Sequence, residues 1–304
     1  MRVLVLGAGG FIGSHTVAAL VARGDVDVSA GLRNSVSGGV LPRGVDLRVA
    51  DVLERDGVTS ALADADVVVH AVSYTGSDPD LVQATNVEAT RNLLRALSNR
   101  PNVRLVFVST TSVYGTGPHR GAVEGELSLH PESPISAARA AAEQLVLEAG
   151  GKVVRAAPAL GIGDRWFGPA LLRGASALGG LPGGGRSRLS VIPARSLGVA
   201  LAALAAGFDS VDGQVIHAVH PRPITVAGLV ELLTQGNGSS VPTEAIPADQ
   251  VARRASALGF TDHQLALISI DHWYDSTELS ALLPGEPELS LTPEERGWYA
   301  RFLS

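Results

Sequence analysis

The sequence contains no cysteine, and Lys152 is the only lysine among its 24 basic residues. The first absence excludes disulfides and thiolate metal sites. The second, beside 35 glycines and abundant alanine, points to a GC-rich coding bias that readily turns lysine into arginine. No apolar run reaches the roughly 18 residues of a membrane-spanning helix. A basic excess is missing too. The net charge is −6, and a nucleic-acid partner requires a basic face. The eight histidines never fall at i, i+4 on a helix, so no metal site is predicted. The opening MRVLVLGAGG has the apolar look of a short secretion signal. With no cleavage region behind it, it reads better as a strand entering a glycine loop, and a cytoplasmic location is expected.

What is present is largely apolar. Hydrophobic residues make up 45% and charged residues 18% of 304 positions, enough for one large domain or two lobes around a sizeable core. β-rich runs at 2–6, 26–32, 46–50, 67–72, 104–110 and 152–157 alternate with helical spacing at 11–23, 54–63, 79–98 and 134–149. This alternation predicts an α/β fold, a Rossmann-type doubly wound parallel sheet with right-handed crossovers. After Pro158 the texture changes: glycine-rich loops surround a helix at 169–178. Beyond them come a helix at 196–206, a strand at 213–219 and helices at 225–235 and 247–258.

Gly7, Gly10 and Gly13 form G-x-x-G-x-x-G between the first strand and the first helix. One glycine permits the tight turn, another lets backbone approach a pyrophosphate, and the third lets helix pack on strand. The helix start, Gly10-Phe11-Ile12-Gly13, offers N–H groups to the phosphates. A dinucleotide is therefore expected. Its lobe would span 1–158, with 194–220 returning to it. A smaller, partly interleaved C-terminal substrate lobe would comprise 159–193 and 221–304. An NAD-binding second strand ends in an acid that accepts from the ribose 2′-OH. Here the run is SAGLRNS, with no acid, and Arg33 can pair with a 2′-phosphate. NADP(H) is the expected cofactor, with NADH left open.

Further motifs follow in order along nearly the whole chain: VLGAGGFIGSH, Asp51-Val52, VVVHAVS (67–73), NVEATRNLL (86–94), LVFVSTTSVYG (105–115) and VVRAAPALGIG (153–163). On these the chain resembles the extended and atypical short-chain dehydrogenases/reductases, the NAD-dependent epimerase/dehydratase family. The resemblance implies that Asp51 and Val52 contact adenine and that Ala71, Val72, Ser73 and Ser109 wall the cofactor. It implies that backbone at Pro158 approaches the nicotinamide. Thr110 would orient a substrate carbonyl, with Thr111, Ser112, Trp166 and Phe167 around the substrate. A small-molecule substrate and a homodimer formed through helices of the nucleotide lobe also follow from it.

The chain departs from the family at PESPISAARAAAEQ (131–144). The family places a proton-transferring Tyr and, four residues later, a Lys on one helix face. With Pro134 fixing the register, Ile135 stands for the Tyr and Arg139 for the Lys. Arg139 can still bind ribose hydroxyls, but its high pKa makes it a poor proton relay. Ile135 can neither give nor take a proton. Hydride transfer rests on positioning, so it survives that loss; a positioned acid is worth about 10²–10⁴-fold. A phenol or enol beside the substrate carbonyl would replace the acid. The expected activity is an NADPH-dependent ketoreductase acting on an aromatic polyketide-like ketone with substrate-assisted protonation. The alternatives are a non-catalytic NADP(H)-binding sensor and a sugar-nucleotide epimerase, dehydratase or 4-ketoreductase. Against the last, family members acting on sugar nucleotides carry an acidic pair where IPARSLG (192–198) places Arg195 and Ser196.

Overall fold

Valine- and leucine-rich runs without polar alternation form strands buried on both faces, as a parallel sheet requires. A computed structural model describes residues 1–34, 41–54, 56–236, 238, 240–276, 278–283 and 289–303. Its main sheet has seven strands: β1 (Arg2–Leu6), β2 (Asp27–Leu32), β3 (Asp46–Val49), β4 (Val67–His70), β5 (Arg104–Thr110), β6 (Lys152–Ala156) and β7 (Val215–Ala218). All pair in parallel, in the order β7-β6-β5-β4-β1-β2-β3. The order reverses between β1 and β4, and in open parallel sheets the crevice at that switch point binds ligands.

Helices cover both faces. On one, α1 (Phe11–Arg23) and α6 (Ala194–Ala206) bury Val17, Leu20, Leu197 and Leu201 against the sheet. On the other, α3 (Ala89–Leu97) and α4 (Pro134–Glu148) bury Leu93, Ala142 and Val146. A separate apolar cluster lies outside the sheet. It joins α5 (Phe167–Leu178) to α7 (Val226–Thr234) through Leu171, Leu172, Leu229 and Leu233, with Tyr299 fully buried among them. Beside it, four short strands form a second sheet in which His119–Ala122 pairs with His272–Tyr274. The segment at 119–122, expected with the nucleotide lobe, thus pairs with the C-terminal part of the chain.

Two predicted helices differ from expectation. The described residues of 54–63 form successive turns, with bonds such as Gly57 N–H to Glu54 O and Thr59 N–H to Asp56 O. Gly57, Thr59 and Ser60 are weak helix formers, and Gly57 packs against the Asp51 carbonyl. The helix predicted at 79–98 is interrupted. α2 (Pro79–Gln83) leads through a π turn at Ala84–Glu88 into α3.

Candidate functional site

The carboxyl ends of β1 to β4 open into a cleft of about 330 Å³. Gly7, Gly10, Arg33, Asp51, Val52, Ala71, Val72 and Ser73 line it. These come from four loops that are far apart in sequence and adjacent only because their strands are. Gly7 has φ +78°, and a Cβ there would stand 3.0 Å from the Ala71 carbonyl carbon. At Gly13 a Cβ would collide with the Gly7 carbonyl. Neither position accepts a larger side chain, so the loop hugs α1 and leaves the helix N-terminus open. Gly10 caps that helix with no side-chain bond, and its amides remain available to an anion. This cradle fits the pyrophosphate of a dinucleotide. Phe11, Ile12 and Gly13 form the first turn behind it; Ile12 packs into the core.

Two asparagines hold the walls. Asn86, in the π turn, accepts from Tyr74 N–H at 2.9 Å and donates to Tyr74 O at 2.9 Å. Asn92 donates to Val52 O at 3.1 Å and Leu53 O at 3.3 Å. The π turn is what aims Asn86 at the loop after β4, a use of π bulges common near functional sites. Tyr74 also lines the cleft. These three residues were not singled out from the sequence, although both asparagines lie within NVEATRNLL.

A second, narrow pocket of about 40 Å³ lies past the end of β5. Thr111, Ser112, Pro158 and Phe167 line it, joined by Leu189, Ser190, His263, Leu267, His272 and Tyr274 from the later chain. Phe167 is positioned by Asp164, whose buried carboxylate accepts the amides of Trp166, Phe167 and Gly168 at 2.9–3.0 Å. Burial raises that carboxyl's pKa, against the pull of the amides. Trp166 turns outward, 61% exposed, and does not line the pocket. Thr110 lines neither cleft; its hydroxyl accepts from Ser112 N–H at 3.1 Å and lies 3.2 Å from Ser112 Oγ. Ser109 is buried and its hydroxyl has no partner among the described residues. Burial lowers the pKa of His272 and raises that of Tyr274. No pattern in the sequence tied His263, His272 or Tyr274 to the β5 motif, because only the fold brings the C-terminal strand and helix there. Among the described residues no group of three or more His, Asp or Glu could hold a metal ion, and no helix is long and apolar enough to cross a membrane.

The NAD dependent epimerase/dehydratase family model matches residues 3–178. The chain belongs to this family. It is 29% identical over 273 residues to the 4-hydroxy-2-methyl-3-oxo-4-farnesyl-3,4-dihydroquinoline-1-oxide ketoreductase of Stigmatella aurantiaca, covering 85% of this chain and 80% of that one. It is 36% identical over 165 residues to a dTDP-glucose 4,6-dehydratase of Streptomyces niveus, and there the match spans only 48% of each protein. Among solved structures, UDP-glucuronic acid 4-epimerase from Bacillus cereus in complex with NAD has a TM-score of 0.72 at 19% identity, over 99% of this chain and 97% of that one. The terminal R domain of the myxalamid PKS-NRPS pathway has a TM-score of 0.77 at 18% identity, over 99% and 89%. Both likenesses concern the fold.

The start of α4 is fixed by local caps. Ser133 and Ser136 cap it reciprocally, and Pro134 opens it. Ile135 packs half-buried against Val82, Val87 and Ala138, the same cluster that Tyr74 joins. Arg139 lines neither cleft. It is 8% exposed, donates from Nη1 to Val108 O at 2.9 Å and stacks over Phe107 at 5.4 Å. Arg195 is likewise engaged, with Glu295 at 2.5 Å and Ser290 O at 2.7 Å.

Proposed function

We propose that this chain is an NADPH-dependent ketoreductase that reduces a carbonyl of an aromatic polyketide-like small molecule and takes the proton from the substrate itself. The reading rests on one observation: a glycine-loop cleft opens at the strand ends while Ile135, which the motif register puts in place of the family's acid, packs into an apolar cluster. The extent of similarity to the Stigmatella ketoreductase, along 85% of the chain, supports it.

Each residue has a part. The open first-turn amides of Phe11 to Gly13 would hold the pyrophosphate, and Arg33, exposed at the end of β2 in the cleft, would pair with a 2′-phosphate. Asp51 and Val52 would flank adenine; Ala71, Val72 and Ser73 would wall the cofactor. Bound NADPH supplies hydride to the carbonyl carbon. Thr111, Ser112 and Phe167 would position the ketone, and the Pro158 backbone, in the same pocket, would meet the nicotinamide. At about 40 Å³ the pocket must widen to admit a ring system. The alkoxide formed would take a proton from a phenol beside it, leaving a far weaker base. Sugar-nucleotide chemistry has less support on one point: Arg195 and Ser196 stand where the resemblance implies an acidic pair, and Arg195 is paired with Glu295.

The test is oxidation of NADPH with aromatic ketones bearing a phenol next to the carbonyl, compared with their O-methyl ethers. Turnover of the phenols and a loss of about 10²–10⁴-fold for the ethers is expected. Equal rates would refute substrate-assisted protonation. Binding of NADPH without oxidation by any ketone would make the chain a sensor.

A further inference from the structure

Three titratable side chains line the second pocket: His263, His272 and Tyr274. Their hydrogen bonds separate them. His272 uses both ring nitrogens on backbone, with Nδ1 donating to Ile270 O at 2.8 Å and Nε2 accepting from Gly117 N–H at 3.2 Å. The Tyr274 hydroxyl is 2.9 Å from His119 Nδ1. His263 is different. Its Nδ1 lies 3.3 Å from Glu132 Oε2 and 3.5 Å from Thr116 Oγ1, and its Nε2 carries no bond among the described residues.

The support for His263 is built from both parts of the fold. Helix α8 (Asp262–Ser269) starts at a reciprocal cap between Thr261 and Gln264, which places His263 in its first turn. Glu132 arrives from the segment before α4 and accepts from the Thr116 hydroxyl and, at 3.2 Å, from the Thr116 amide. These Thr116 bonds hold its carboxyl below the usual range. An anchored carboxylate on Nδ1 sets the tautomer and the ring plane. Nε2 is then the nitrogen left to whatever enters beside Thr111 and Ser112.

We propose that His263, held by Glu132, binds the acidic phenol of an aromatic ketone in this pocket and restores the proton which that phenol gives up. This rests on the substrate-assisted reading above. Once the carbonyl carbon has accepted hydride, the carbonyl electron pair resides on oxygen as an alkoxide. The alkoxide takes the phenol proton. The phenolate takes the Nε2 proton of the imidazolium, and His263, half-exposed beside Glu132, regains a proton from water. One ketone, one hydride and one solvent proton give one alcohol. The charged and titratable groups around His263 are Glu132, then His272 with Asp271 behind it, His119, and Asp262 on its own helix.

The probe is ortho-hydroxyacetophenone, with ortho-methoxyacetophenone as its blocked counterpart. Wild type, His263→Asn, His263→Gln and Glu132→Gln are compared, with folding checked by the thermal shift that NADPH produces. In the wild-type complex with NADP, the phenol should bind about tenfold more tightly than its methyl ether, the scale of one hydrogen bond to Nε2. Both His263 variants should lose that preference and about 10²-fold in kcat/KM, Glu132→Gln should fall between, and NADPH affinity should not move. An unchanged preference and rate in His263→Asn would overturn the proposal. If wild type prefers the phenol but oxidises no NADPH, the ketoreductase reading falls and the site stands. If wild type neither binds nor reduces the probe, both fall.

Discussion

Arg139 donates from Nη1 to the carbonyl of Val108 at 2.9 Å, inside the protein and away from both clefts. Burial pulls its pKa down to about 10, opposed by the charge of Glu143. A guanidinium in this place ties α4 to the end of β5, next to Ser109 and Thr110. Arg139→Leu should therefore cost about 1–3 kcal/mol by leaving the Val108 carbonyl unpaired, with little change in NADPH affinity. Urea unfolding and a cofactor titration measure the two effects. Unchanged stability with a tenfold weaker cofactor would return Arg139 to the ribose-binding role its position in the motif suggests.

Ile135 offers a complementary test. It is half-buried and packs against Val82, Val87 and Ala138. Ile135→Tyr would set a phenol at the position that the proposed reading assigns to the family's acid. If the substrate already supplies the proton, the variant should leave reduction of an ortho-phenolic ketone within a few-fold of wild type. It should raise turnover of the methyl ether by about 10²-fold. A large gain on the phenolic ketone would mean that protonation limits the native reaction, contrary to the substrate-assisted route.

The fold and the dinucleotide cleft were legible because their determinants are local. A glycine loop between strand and helix, and continuous apolar strands, carry their meaning within a few residues. Gly7, Gly10, Asp51, Val52 and Ala71 to Ser73 converge because the strand order places their loops side by side. The second pocket was only half legible. Thr111, Ser112, Pro158 and Phe167 belong to motifs or apolar segments, whereas His263, His272 and Tyr274 reach it through tertiary pairing of His272–Tyr274 with His119–Ala122. Trp166 and Phe167 are adjacent in sequence, yet the amide cluster on Asp164 sends one outward and the other to the pocket.

The proposed preference for NADPH rests on Arg33. It lines the cleft just beyond β2, in a run, SAGLRNS, that carries no acid. Arg33→Ala should weaken NADPH by about 10–100-fold, the 1.5–3 kcal/mol scale of a charged hydrogen bond. NADH should be affected far less. Isothermal titration with both cofactors reads the ratio. Equal losses for the two would place Arg33 outside the 2′-phosphate site.

His70 makes stability depend on pH. It ends β4, is fully buried, has Nε2 3.2 Å from the Thr90 hydroxyl, and leaves Nδ1 without a partner among the described residues. Burial first, and then the charge of Arg139, depresses its pKa to about 3 from the ordinary 6.5. Above that ordinary value both folded and unfolded chains hold a neutral ring, and the fold keeps its full stability. As pH falls below it, the unfolded chain takes a proton that the native state refuses until about pH 3. Stability is lost throughout that window, at up to about 1.4 kcal/mol per pH unit for each such histidine. Burial also lowers His119, His217 and His272, so they add to the slope. His70→Leu should flatten the dependence by about one proton between roughly pH 6 and 5, where carboxylates remain ionised. Urea unfolding across that range measures the slope, and an identical slope in the variant would show that His70 carries its proton in the folded protein.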